Sequence, residues 1–100
     1  MDILSRVEGF DWDKGNIEKN WERQKVSFVG SEELFFNRPL VAAEDEIHSN
    51  AESRHYALGT TNDGRYLLIV FTIRTNKIRV IWARDMSRRE RESTVKKLKK

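Results

Sequence analysis

The chain contains no cysteine, which removes disulfides, thiol catalysis and thiolate metal sites from consideration. Its two histidines, His48 and His55, stand among scattered carboxylates without zinc-ligand spacing, so no metal is expected. Neither lies in a triad pattern that would activate a serine nucleophile. One proline and five glycines leave no phosphate-binding glycine loop and no dinucleotide fingerprint, and no zinc finger appears. No apolar run approaches the roughly 18 residues that a membrane span needs. Met1 to Phe10 lack the basic-then-apolar pattern of a signal peptide. The expectation is a cytoplasmic protein with no membrane partner and no cofactor.

What is present fits one small domain. The 100 residues suffice for a single modest core, so the expected organisation is one domain over 1–100, with the basic stretch 93–100 frayed. Charged residues make up 35% and the mean hydropathy is −0.71, yet three Trp and five Phe supply large side chains to bury. The charge is unevenly placed: residues 1–64 carry a net −6 and residues 65–100 a net +9. A basic C-terminal third suits a polyanion or an acidic protein partner, and a solvated surface is the plain alternative.

Local signals predict α+β: N-terminal helices packed on an antiparallel sheet, then a C-terminal helix. Residues 8–12 read as a short edge strand with Phe10 and Trp12. Asp13 can cap a helix over 14–24 whose Ile17 and Trp21, four apart, would face the core. Val26 and Phe28 read as anchors, Ser31 as the cap of a second helix, and Pro39 as its end. Residues 40–47 form a candidate strand and 48–53 a polar loop. Three strands over 54–61, 65–74 and 77–84 are rich in β-branched and aromatic residues.

Asp63-Gly64 signals a two-residue hairpin, and Thr75-Asn76 or Asn76-Lys77 the next. With Asp63-Gly64 and Asn76-Lys77 as the turns, Tyr56, Leu58, Leu67, Ile69, Phe71, Ile73, Val80 and Trp82 share the core face. His55, Ala57, Val70, Thr72, Arg74, Arg79, Ile81 and Ala83 share the other. That second face is half apolar and half cationic, the expected floor of a groove partly covered by a helix.

Ser87-x-x-Glu90 fits a capping box at the start of the last helix. Arg88, Arg89 and Arg91 follow it, where cations oppose the helix dipole; phosphate or an acidic partner would offset that cost. Arg79 and Arg84 bracket a strand that otherwise reads as buried. A guanidinium there either binds phosphate, for which its planar fork is suited, or forms a structural ion pair, with Glu52 or Asp85 as candidates. Glu52, Arg54 and His55 form a second cluster, with His55 able to move a proton near neutral pH.

The stretches "FDWDKGNIEKNWERQKVSF", "ESRHYALGTTNDGRYLLIVFTIR" and "RVIWARDMSRRERE" together resemble the BrnT family, ribonuclease toxins of type II toxin–antitoxin modules with a RelE-like fold. The matching positions are Trp12-Asp13, Asn20 through Phe28, Glu52 and Arg54 with Gly59, Arg79 to Arg84, and Ser87 with Glu90 and Arg91, spanning about residues 10–92. The resemblance implies a metal-independent endoribonuclease that inhibits translation. It also implies a BrnA-like ribbon-helix-helix antitoxin, through whose complex alone operator DNA would be bound. By the same resemblance Arg54, Arg79 and Arg84 would bind phosphate and stabilise the transition state; beside them, Glu52 or His55 is the candidate for acid–base function. Arg23, Arg74, Arg88 and Arg91 would be further RNA contacts. Two departures stand out: the family's Lys-His-Gly reads Arg23-Gln24-Lys25 here, and His55 takes a place where an aromatic residue is expected. The alternative is therefore a non-catalytic basic module that binds antitoxin or nucleic acid and has lost ribonuclease activity.

Overall fold

The computed structural model describes residues 4–38, 40–45 and 53–98, with side chains as far as Thr94. Its elements run β1 (Gly9–Phe10), α1 (Lys14–Gln24), α2 (Phe28–Phe36), β2 (Val41–Asp45), β3 (Arg54–Thr60), β4 (Tyr66–Arg74), β5 (Lys77–Asp85) and α3 (Arg88–Leu98). The strands form one sheet in the order β1-β5-β4-β3-β2. The fold is α+β as the sequence predicts, with one correction: β1 runs parallel to β5, so the sheet is mixed.

Helix α1 begins where Asp13 accepts a hydrogen bond from Asn16 N–H at 2.7 Å, the expected cap. It ends at Lys25, which holds the left-handed conformation (φ 54°) and returns its N–H to the carbonyls of Asn20 and Trp21. Helix α2 starts earlier than Ser31 predicts, because Ser27 Oγ accepts from Gly30 N–H at 2.9 Å. Ser31 is then an interior, buried residue. Trp21 points outward and is 52% exposed; of the two neighbours, Asn20 is the one buried in α1. Of the expected anchors Val26 is buried, whereas Phe28 lies at the surface against the Trp12 ring.

Two local features reset the sheet register. The β3–β4 turn uses three residues, Asn62-Asp63-Gly64, closed by Thr61 N–H to Arg65 C=O at 3.0 Å and Gly64 N–H to Thr61 C=O at 2.9 Å. Gly64 takes φ +83°, so this is a type I turn completed by a left-handed glycine. The extra residue shifts pairing by one position and exchanges the faces of β3. Ala57 and Gly59 face the core, while Tyr56 and Leu58 face away. The β4–β5 turn is Thr75-Asn76, both at positive φ, as a tight hairpin of twisted strands requires.

Further along, a bulge leaves Ile81 without a partner: Phe71 pairs with Val80, but Val70 pairs with Trp82. One inserted residue sends Ala83 into the core and turns Trp82 and Arg84 to the other face. Of the predicted core face, Leu67, Ile69, Phe71, Ile73 and Val80 hold their places; Tyr56, Leu58 and Trp82 do not. Helices α1 and α2 cover the core face, where Phe35 meets Phe71 edge-on at 5.2 Å. Gly59 lets α2 come close, since a Cβ there would lie 2.9 Å from Leu34 Cγ.

Helix α3 turns back toward the uncovered face and reaches β3. Its capping box forms as predicted: Ser87 N–H donates to Glu90 Oε1 at 2.8 Å and Glu90 N–H to Ser87 Oγ at 3.2 Å. The helix runs on through Leu98. Among the described residues no helix is long and apolar enough to cross a membrane.

Candidate functional site

The face of the sheet turned away from α1 and α2 carries a groove of about 620 Å³. Its floor is apolar and aromatic: Tyr56 and Leu58 of β3, Leu68 and Val70 of β4, and Trp82 of β5. Register sets these in rows, Tyr56–Val70–Trp82 and Leu58–Leu68–Arg84. Arg54, with Asp45 as its cross-strand neighbour, stands at one corner. Arg84 and Glu90 stand at the opposite corner. Arg54 and Arg84 are two strands and four residue steps apart, roughly 17 Å between Cα atoms by ordinary strand spacings.

Arg84 is held by a two-pronged ion pair to Glu90, with nitrogen–oxygen distances of 2.7 and 2.8 Å. Its guanidinium also donates to the Asp85 carbonyl and lies 5.7 Å from the Trp82 ring centroid. Glu90 thus serves both the helix cap and the groove. Its hydrogen bond with Arg84, set against partial burial and aided by Ser87, pushes its carboxyl down to about 2. The same pairing raises Arg84 above the ordinary arginine value. The carboxylate that meets Arg84 is therefore Glu90 and not the expected Asp85; Glu52, the other candidate, lies outside the described residues. Asp85 instead forks to Arg65 at 2.6 and 3.1 Å, and Arg65 donates onward to the Gln24 and Lys25 carbonyls. That lowers the Asp85 carboxyl and ties the end of α1 to the end of β5.

The sequence-predicted residues divide. Arg54 and Arg84 line the groove. Arg79 lies outside it, bound to Asp11 at 3.4 Å and to the α1 cap Asp13 at 2.8 Å. His55 faces the core side, stacked on Phe71 at 5.5 Å with its Nδ1 buried and without a partner. Glu52 lies outside the described residues, as do His48 and most of the predicted polar loop. Arg91 covers the Tyr66 ring at 4.2 Å, close to the α3 side of the groove face. Arg88 is exposed and pairs with Glu92, and Arg74 is exposed at the end of β4. Arg23 borders a separate hollow beside Trp82.

Trp82, Tyr56 and Glu90 are groove residues that the sequence reading did not assign to a site. Only the bulge brings the first of them there; Glu90 was visible as a cap but not as Arg84's partner.

The sequence model of the ribonuclease toxin BrnT, of type II toxin–antitoxin systems, matches residues 12–90. The chain belongs to the BrnT toxin family. The family is one of ribonuclease toxins of type II toxin–antitoxin systems, a class with an RNA substrate and an antitoxin partner. No curated protein matches it closely enough to add to that assignment. The matched span begins at Trp12 and ends at Glu90, so it contains every described residue of the groove.

Proposed function

We propose that this BrnT-family chain is a metal-independent endoribonuclease that acts in the cytoplasm, cuts RNA in the groove between α3 and the sheet, and so inhibits translation. A BrnA-like ribbon-helix-helix antitoxin would neutralise it, and operator DNA would be bound only through that complex. The observation that carries the reading is the pairing of an aromatic floor with an arginine at each end. An apolar floor is a poor cradle for phosphate but a good platform for an unpaired base, whose face stacks on aromatic rings. The flanking guanidinia then take successive phosphates.

In the chemistry this arrangement serves, a base removes the 2′-hydroxyl proton and the oxygen attacks phosphorus. Arginine stabilises the added negative charge, and an acid returns a proton to the departing 5′-oxygen. Arg84 and Arg54 are assigned the charge stabilisation. Glu52, two positions before Arg54, is assigned the base. Arg79 and His55 are assigned structural roles, since one secures α1 and the other packs on Phe71. The phosphate must exchange with Glu90 for the Arg84 fork, a swap of one anion for another that keeps the guanidinium paired throughout.

The test is induction of the chain without antitoxin, beside Arg84→Ala, Arg54→Ala and Glu52→Gln. Growth arrest with RNA cleavage by the wild type, lost in the variants, supports the reading. No cleavage by the wild type sinks it. Retained RNA binding would then favour the second reading, a binding module, for which Gln24 in place of the family histidine speaks.

A further inference from the structure

Trp82 borders two concavities. Besides the groove, it lines a hollow of about 290 Å³ formed with Lys19, Asn20, Arg23 and Gln24 of α1 and with Ile81 and Ala83 of β5. The indole is 37% exposed and stands outside the buried core cluster. Folding does not demand a tryptophan at this point; the Ile81 bulge is what turns it outward, between the two hollows. Lys19 and Arg23 are exposed, one turn apart on α1, and neither makes an ion pair among the described residues. Lys14, on the same helix, does pair, with Glu18 at 4.0 Å. Like charges at that spacing repel, costing a helix a few tenths of a kcal/mol, and an anion beside them removes the cost.

We propose that this hollow is a second RNA subsite, continuous with the groove across Trp82. The indole is the stacking platform for a base at the junction, and Lys19 and Arg23 hold phosphates of the nucleotides beyond it. Gln24 adds an amide that can both donate and accept a hydrogen bond to a base edge. The ligand is single-stranded RNA long enough to reach from Arg84 to Arg23; a duplex keeps its bases stacked on one another and offers none to the indole. The inference rests on reading the groove as an RNA site, and extends it round the β5 edge.

The experiment measures binding of 2′-O-methyl RNA, which lacks the attacking hydroxyl, as a dinucleotide and as a strand of about eight nucleotides. Lys19→Ala/Arg23→Ala is expected to weaken the longer strand at least tenfold. It should also flatten the salt dependence by about 1.4 in log–log slope, 0.7 per single-strand phosphate contact. Dinucleotide affinity stays unchanged. Trp82→Ala weakens the longer strand and Trp82→Phe recovers most of the loss. For the Lys19/Arg23 double variant, equal loss on both lengths or no loss overturns the second subsite while leaving the groove reading intact, as does equally tight binding of a duplex by the wild type. If the wild type binds RNA of neither length, both readings fall together.

Discussion

At the scale of single residues, several side chains hold positions that ordinary preference would not choose. Lys25 ends α1 in the left-handed region, where a side chain costs about 1 kcal/mol or more and glycine almost nothing. The family pattern carries glycine at this place, and the backbone explains it. Lys25→Gly should raise stability by about 1 kcal/mol, read as a higher urea midpoint at unchanged m-value. His55 buries an unpartnered Nδ1 against Phe71. His55→Phe keeps the stacked ring and removes the unsatisfied atom, so stability should hold or rise. RNA cleavage should also persist, because the residue faces away from the groove; loss of cleavage with intact folding would return His55 to the mechanism. Glu90 titrates near 2 in the folded chain against an ordinary 4.5. A depressed carboxylate stabilises the fold above its unfolded pKa and ceases to do so as pH falls toward the folded one. Stability should thus decline between pH 4.5 and 2. In Glu90→Gln, which retains the capping geometry, that part of the decline should vanish from the urea midpoint measured across pH.

At the scale of elements, the outer edge of β5 decides much of the fold. β1 covers it only as far as the Asp11 N–H, which donates to Ile78 C=O at 2.8 Å. Beyond that point two asparagines of α1 take over the ladder. Asn16 donates to Val80 C=O at 2.9 Å, and Asn20 accepts from Ala83 N–H at 3.2 Å. These two contacts straddle the bulge that delivers Trp82 and Arg84 to the groove. Asn20→Ala would leave a buried N–H unpaired at a cost of about 1–3 kcal/mol. Its effect should reach further than stability: amide exchange at Ala83 should quicken, and RNA binding should weaken as Trp82 loses its fixed direction. A variant that is destabilised but binds normally would show that β5 holds its bulge unaided. The helix caps at Asp13 and Ser87 were legible because capping is a contact over three residues. The β3 register was not, since Asp-Gly signals a turn without saying whether Asn62 belongs to it. The sheet bulge left no mark in the spacing of apolar residues, because Val80, Ile81 and Trp82 are apolar on either face.

At the scale of the whole molecule, the split between an acidic first part and a basic last third does not map onto two surfaces. Several of the later cations are bound to carboxylates of the earlier part or of their own region. Arg79 meets Asp11 and Asp13, Arg65 meets Asp85, and Arg84 meets Glu90. The net +9 of residues 65–100 already counts Asp85 and Glu90, so only Arg79 is balanced by the acidic part. All three guanidinia are nonetheless held by carboxylates, and electrostatic attraction for RNA should be milder than the composition indicates. The log–log salt slope for a long single strand should correspond to a few phosphates, at about 0.7 each, and not to nine. A slope near −6 would mean that the internal pairs open on binding and that the whole basic third engages the strand.

Some of this was decided locally. The caps of α1 and α3, the three-strand meander and the family pattern depend on contacts within a few residues or on short motifs, and each was readable along the chain. The site was decided by register. A three-residue turn and a one-residue bulge moved Tyr56, Leu58, Trp82 and Arg84 together onto one face and sent His55 to the other, while Arg79, opposite Thr72, is held off the groove by Asp11 and Asp13. In a sheet one residue of slip reverses every side chain after it, and only the packing of Ala57, Gly59 and Ala83 against the helices says which way the slip went.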